Sequence, residues 1–535
     1  MPPRKSDADA PPPAPAELAR ALEEFLLVHP NAVLLEDGRV AFDMREAKYS
    51  ISTEHGRCTL QLWSEERNLV RRVTGIALRA DVLKITTQKF GQAKPQTLEL
   101  VADRDRRTPT ARESTRKRYL KILDRVLLRN FSEWKPTGFR AAMDLERSFG
   151  PAYARGTLVR GQSAWAVIAV NAEETQSTID GTLTLGILWL AHCREKSDGK
   201  RLFQGLRIIV PQGAGALTLS RLAWMNPNAA QWELWELDER SEELTQRDLA
   251  DQGNLRTKLL HAPNEAAARE RFAAAITRVR ALLPEQMLAV VEEKVRSGTE
   301  LAFALHGLEF ARVRIGVAAN SFNRTEEITF GAGANETPLT ADNETYFKEL
   351  IKKLFARRHA GGDARDPLYR MQPERWLESI LRKDVSPLDE HLDAAHVYTQ
   401  VPAFAASDRG MLDLLSVTKD GRLAVIELKA DEDLHLALQG LDYWVRVRWH
   451  HAQNNDANAP GLGEFQRHGY FGGVALSPLP PRLYLVASAL RIHPATETVL
   501  KHLKPEVEWT LVAIDERWRE KVKTVFRKRS RGLKP

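Results

Sequence analysis

The sequence predicts a multi-domain α/β protein, and three observations carry that expectation. The chain is 535 residues long, beyond what one hydrophobic core organises, so several domains are expected. Short β-rich apolar runs alternate with amphipathic helical stretches in two separate regions, the pattern of α/β units. Residues 16–105 alternate apolar and polar side chains around turn signals (AVLLEDGRVAFDM, YSISTEHGRCTLQLW), which reads as a small β-rich N-terminal module.

Composition narrows the class. With 43% hydrophobic and 28% charged residues, the chain reads as soluble and globular. Its longest apolar stretch, TLTLGILWLAHC (182–193), is too short to cross a bilayer. The opening MPPRKSDADAPPPAPAE lacks the apolar centre of a signal peptide, and residues 1–15 read as a disordered tail. Cys58 and Cys193 are the only cysteines, which excludes a disulfide framework and a cysteine-based zinc site; a cytoplasmic location is expected. The net charge of +7 permits an acidic partner. The excess gathers in 106–125 and in 517–535, where nine Lys/Arg meet one acid. Beside a phosphate chemistry such runs become backbone-binding surfaces; otherwise they are solvated faces.

The chemistry-bearing candidate is GRLAVIELKA (421–430). Glu-x-Lys occurs four times, at 46, 133, 292 and 427. The first three stand in polar or helical-looking surroundings and read as solvated charge pairs. The fourth is a β-rich run after the turn signal KDG (419–421), so Glu427 and Lys429 share one strand face. Burying that pair without a partner or a task costs several kcal/mol, to order of magnitude. The preceding run, GMLDLLSV (410–417), carries Asp413. A two-residue Asp-Gly loop would set Asp413 opposite Leu428, on the other face, whereas a three-residue loop 419–421 with Gly421 in the left-handed region places Asp413 opposite Glu427. Paired carboxylates suit Mg²⁺ or Mn²⁺, and an adjacent lysine can orient water or offset charge on a phosphorane-like transition state.

The flanks extend the pattern. PERWLESILRKD (373–384) reads as a helix and VYTQVPAF (397–404) as a strand. DEDLHLALQGLDYWVRV (431–447) reads as a helix on which Gln439 and Tyr443, four apart, share a face. RLYLVAS (482–488) and EWTLVAID (508–515) follow as strands. Helix, strand, strand with Asp, strand with Glu-x-Lys, helix with Gln-x-x-x-Tyr, strand: this order resembles the PD-(D/E)XK nuclease superfamily, and Q439-G-L-D-Y443 is similar to its RecB-like branch. The resemblance covers about 370–516, although the literal Pro before the Asp is absent. It implies a restriction-endonuclease-like αβββαβ core with Asp413 and Glu427 as metal ligands and Lys429 assisting the nucleophile. Gln439 and Tyr443 would support the site or touch DNA. An acid on the first helix would complete the metal shell, Glu378 ahead of Glu374.

A second region repeats the order. AVIAVNAEE (166–174) matches AVIELKADE (424–432); each leads to a helix, an apolar strand and a similar close, QWELWELDE (231–239) or EWTLVAIDE (508–516). On this alignment Ala169 stands for the glutamate, Asn171 for the lysine and Arg155 for the aspartate. The expectation is a degenerate nuclease-like α/β domain, unable to hold metal, over 106–250. Residues 251–369 are expected to be a helical connector with a β-hairpin and a basic helix, YFKELIKKLFARRH (346–359), whose Lys348, Lys352, Arg357 and Arg358 could touch phosphate. The nuclease domain occupies 370–516 and a basic tail 517–535. His450-His451 and Trp444/Trp449 read as structural or core residues rather than as ligands or base-stackers. No phosphate-loop, dinucleotide or zinc-protease motif appears. The expectation is a Mg²⁺- or Mn²⁺-dependent deoxyribonuclease acting in repair or defence. It would bind DNA through its phosphate backbone, with no membrane partner and with homodimerisation through the N-terminal half. The alternative is a noncatalytic nucleic-acid-binding or scaffold protein retaining a nuclease fold.

Overall fold

The computed structural model describes residues 13–530 except 31, 37–38, 45–46, 54–55, 64–67, 80–81, 89–94, 103–108, 145–146, 198, 252–256, 318–323, 334–335, 406–407 and 453–462. Most of the expected tail (1–12), residues 106–108 of the first basic run and 531–535 of the second lie outside the described residues. The molecule is mixed α/β with four sheets. None of its described helices is long and apolar enough to cross a membrane.

The helix Pro15–Val28 packs Leu22 and Leu26 onto one face of a seven-stranded antiparallel sheet between Val33 and Val101. Alternation along its strands, seen in the buried and half-buried pattern of Cys58–Trp63, gives that sheet one apolar face.

Two α/β units follow, here called unit I and unit II. Unit I begins with the helix Pro109–Asn130 and has a six-stranded sheet ordered 135–140, 153–160, 163–170, 202–211, 231–238, 243–247. Its first three strands are antiparallel neighbours, the next two join in parallel, and the last returns antiparallel. In unit II the helix Pro373–Lys383 precedes strands 398–405, 408–417, 423–429, 482–488, 509–514 and 524–529. The directions match strand for strand: two antiparallel pairings, two parallel, one antiparallel. The helices Thr182–Ser197 and Leu436–Ala452 make the first parallel crossover of each unit. Order and direction therefore agree over these six strands; unit II adds one short edge strand, Lys258–Leu259, antiparallel to 398–405.

The units meet face to face. One hydrophobic core takes Leu183, Ile187 and Leu190 from unit I together with Leu438, Leu441 and Trp444 from unit II. Met225 and Leu503, which follow corresponding short helices, form an antiparallel bridge: Asn226 N donates to His502 O and Lys504 N to Trp224 O, both at 2.8 Å. Arg221 clasps Asp442 with two bonds of 2.9 and 2.7 Å. Corresponding segments meeting each other is the signature of an approximate two-fold axis within one chain.

Three expectations about the remaining chain are corrected. The connector expected over 251–369, whose Ala/Glu/Arg-rich part 262–298 reads as helical, is not one helix. Short helices end by Leu288, and Val291–Ser297 opens a five-stranded sheet with its own core of Phe303, Phe310 and Phe347. The Ala/Glu/Arg composition is helix-like, but sheet packing overrides that weak preference. The basic C-terminal segment is not simply a tail: Thr524–Arg529 is an edge strand, with Arg527 and Arg529 bonded to Leu388 O and Asp389. Arg358 is wholly buried and donates to the carbonyls of Leu305, His306, Leu368 and Met371, so it stands apart from any phosphate.

Candidate active site

The hairpin around Lys419–Gly421 sets the site. Thr418 N donates to Arg422 O at 2.7 Å, and Gly421 takes φ +82°, closing a three-residue loop. A side chain at Gly421 would also collide with Ala475 O, 2.1 Å from an ideal Cβ. The register runs from Val417↔Leu423 to Leu414↔Ile426, so the next pair outward is Asp413 and Glu427. Leu428 N donates to Asp413 Oδ2 at 2.9 Å. Glu427 is buried one turn of pleat from the C-terminal end of a strand that is apolar apart from it and Lys429, at the end of parallel strands where α/β sites gather.

Helix 436–452 covers that end. Gly440 lets it approach, since a Cβ there would lie 2.4 Å from Leu485 Cδ2 and 3.6 Å from Glu427 Cβ. Gln439 and Tyr443 flank this glycine. Gln439 Oε1 is buried with no hydrogen-bond partner. The Tyr443 phenol is raised well above its ordinary value, first by burial and then by the charges of Glu427 and Asp413, so it remains a neutral donor. Asp413, Glu427, Lys429 and Tyr443 therefore converge, and Gln439 lies one turn before Tyr443 on the covering helix.

Their electrostatics are those of a crowded acidic pair. Burial pushes Asp413 up to about 6, opposed by the Leu428 N–H and reinforced by Glu378. Glu427 is raised well above the carboxylate range, by burial first and by Asp413 next. Lys429 Nζ lies 3.5 Å from Glu427 Oε1 and 3.4 Å from Asp433 Oδ2. Burial lowers its pKa, yet Glu427, Asp433 and Asp413 outweigh this and hold it above the ordinary ammonium value.

Glu378 is buried beside this group, but its carboxylate is engaged elsewhere. Arg375 donates to it at 2.9 Å, the Gln400 amide at 3.1 and 3.2 Å, and Lys294 stands 3.8 Å away. Glu374 accepts from Ala430 N at 3.2 Å. Among the described residues no three His, Cys, Asp or Glu converge as a ready-made metal cage. The donor chemistry still fits a hard divalent ion at Asp413 and Glu427. Glu427 Oε2 is buried without a hydrogen-bond partner, burial raises the pKa of both carboxyls so that a cation there would favour their ionised form, and Mg²⁺ commonly uses one or two carboxylates with water completing its shell.

Sequence reasoning missed the second layer. Lys294 of the Glu-Glu-Lys at 292, read as solvated, is buried at 4% exposure because its strand packs beside Glu378. Gln400, at the register position facing Asp413, adopts φ +52°, a strained backbone for a non-glycine residue. No local pattern announces either, since both depend on a neighbouring module. Asp433 could have been found, lying four residues after Lys429 in an acidic turn. His450 is fixed by Thr257 and Glu464, and His451 by Ser477 O, which accounts for them as structural. Trp444 is core, with Nε1 donating to Pro481 O, whereas Trp449 is 42% exposed rather than core.

The corresponding face of unit I corrects the alignment by one residue. Its hairpin has a two-residue loop, Gly161-Gln162, pairing Ser163 with Arg160 and Ile168 with Arg155. Ala169 faces the helix 109–130, whereas Ile168 and Val170 face the helix 182–197. Gly186 lies against Ile168 and Leu206 as Gly440 lies against Glu427 and Leu483. So Ile168 and Val170, rather than Ala169 and Asn171, occupy the Glu427 and Lys429 positions, while Arg155 does stand at that of Asp413. The apolar run AVIAV is buried on both faces, so its phase could not be read from hydropathy. No protein-family model matches this chain, and no match is found among the curated proteins.

Proposed function

We propose that the protein is a metal-dependent nuclease hydrolysing phosphodiester bonds in DNA, with unit II as a PD-(D/E)XK-type catalytic domain of restriction-endonuclease-like core. The observation that carries this reading is the pairing of two carboxylates, buried Glu427 and half-buried Asp413, with the Lys429 ammonium at a sheet end, all on one face. An ion held by Asp413 and Glu427 would supply Lewis-acid polarisation of the phosphate and an activated water. Lys429, charged throughout the working pH range, orients the attacking water and offsets charge developing on the phosphate oxygens. Tyr443 offers a neutral hydroxyl, and Gln439 an unsatisfied amide oxygen that accepts from water or from a nucleotide. Glu378 joins the ligands if Arg375 and Gln400 release it.

One observation favours the rival, a noncatalytic nucleic-acid-binding or scaffold protein: Glu378 is tied into ion pairs, leaving two carboxylates rather than three. Incubation with circular and linear DNA in Mg²⁺, Mn²⁺ or EDTA separates the two. Cleavage with either metal and none in EDTA is expected; binding without cleavage under all conditions selects the rival. Calorimetric Mn²⁺ titration near pH 6, in buffers of different ionisation enthalpy, gives a second readout. Binding should expel protons from Asp413 and Glu427, and its absence in Glu427→Gln identifies the ligand.

A further inference from the structure

Unit I has no acidic cleft, but it has a basic one. An open pocket of about 370 Å³ is lined by Arg140, Arg147, His192, Glu195 and Lys196. Arg140 is the register partner of Arg155 across adjacent strands. Arg155 and Arg147 share Asp144, at 3.9 and 3.3 Å. Arg155 is fully buried under Phe149 and Trp189 and donates one hydrogen bond, Nη1 to Ala142 O at 3.0 Å. Its Nε and Nη2 are buried without hydrogen-bond partners.

Four permanent cations thus stand against two carboxylates, Asp144 and Glu195. Like charges on directly paired strand positions repel, and a buried guanidinium with orphan donors adds desolvation cost. An anion entering the pocket offsets both. Position identifies which anion. Ser148, next to Arg147, bonds His493 at 3.0 Å, and His493 stands 3.9 Å from Glu432, three residues beyond Lys429. The basic pocket and the acidic pair therefore border the same junction of the two units.

We propose that this pocket is a phosphate-binding site for the nucleic-acid backbone, the converted counterpart of the catalytic cleft, holding the strand that unit II acts on. The proposal rests on the reading of the protein as a nucleic-acid enzyme. Arg140, Arg147, His192 and Lys196 make the contacts, while Arg155 supplies field from behind.

The test is made on the full chain carrying Glu427→Ala, in EDTA, so that binding is measured without cleavage. A labelled DNA oligonucleotide, duplex or single-stranded, is titrated by anisotropy over a salt series. Arg140→Gln/Lys196→Gln should weaken binding about tenfold at 0.1 M salt and make the slope of log K against log salt shallower by about 2. Arg20→Gln/Arg79→Gln, the same charge change on the N-terminal module, should stay within about twofold with its slope unchanged. Equal behaviour of the two double variants overturns the proposal. So does pocket-dependent binding of inorganic phosphate with DNA affinity unaltered by the pocket substitutions, which marks a small-anion site. A chain that binds DNA through the pocket but never cleaves leaves this inference standing and ends the nuclease reading.

Discussion

Units I and II are the same arrangement of strands and helices with opposite contents at five positions. Where unit II has Asp413, Glu427, Lys429, Gln439 and Tyr443, unit I has buried Arg155 and, packed in the common core, Ile168, Val170, Leu185 and Trp189. The closing strands keep even their turn chemistry: Asp238 accepts from Arg240 N and Asp515 from Arg517 N, at 2.9 and 2.8 Å. Unit I teaches that this fold needs none of the five polar groups. A buried Glu with a partnerless oxygen costs stability that isoleucine at the same place does not. The polar set of unit II is therefore best explained by a task, and we take the two units as copies of which one kept it.

The largest expected effect breaks the two apart. Glu427→Ala should lower DNA cleavage on the order of 10⁴-fold while changing affinity for DNA little, because binding rests on distributed phosphate contacts. Its counterpart, Ile168→Ala, should leave the rate constant of cleavage within a few fold yet cost about 2–4 kcal/mol of stability through the cavity it opens. Turnover and denaturant unfolding measured on both variants decide it. Undiminished cleavage in Glu427→Ala removes Glu427 from the site.

A smaller effect tests whether the units act as one body. Arg221 and Asp442 are both mostly buried at the junction, with the guanidinium also donating to Asp180 O at 2.6 Å. Arg221→Ala strands a buried carboxylate and should cost about 3 kcal/mol. Arg221→Ala/Asp442→Ala should recover part of this, since no unpaired charge remains. Separate unfolding transitions for the units in Arg221→Ala, against one transition in the parent, would show that this bridge couples them. If both single and double variants match the parent, the junction rests on its apolar core and the Met225–Leu503 backbone bridge.

Much of unit II was legible because local chemistry dictates it. Lys419-Asp420-Gly421 admits a two-residue or a three-residue hairpin loop; the structure takes the three-residue one, and its register brings Asp413 to Glu427. In unit I the order of elements was equally legible, but the phase was not. Its strand is buried on both faces, and its Gly161-Gln162 loop is one residue shorter. The partners of Glu378 were beyond reach for a different reason: Lys294 arrives from a sheet that composition disguised as helix, and Gln400 acts through an unusual backbone angle. Short-range rules carried the first layer of the site, and module packing carried the second.

The smallest effect sharpens the comparison through pH. In the unfolded chain the two carboxyls titrate near 3.9 and 4.3, to order of magnitude. In the folded metal-free protein Asp413 is pushed up to about 6 and Glu427 well above the carboxylate range, burial being the first cause for each. Between about pH 4 and those raised values the folded state holds protons that the unfolded state has lost, so stability falls as pH rises. The unit I counterpart contributes nothing here, because Ile168 does not titrate. In EDTA, wild type should therefore lose on the order of 1–3 kcal/mol relative to Glu427→Gln on going from pH 5 to pH 8. Saturating Mn²⁺ should reverse the sign, since bound metal selects the ionised carboxylates and gains affinity as pH rises. Thermal unfolding of both proteins across that range, with and without metal, reads the difference directly. Parallel curves in EDTA would mean that the two carboxyls are not the strained acidic pair described, and a metal-independent difference would mean that the ion binds elsewhere.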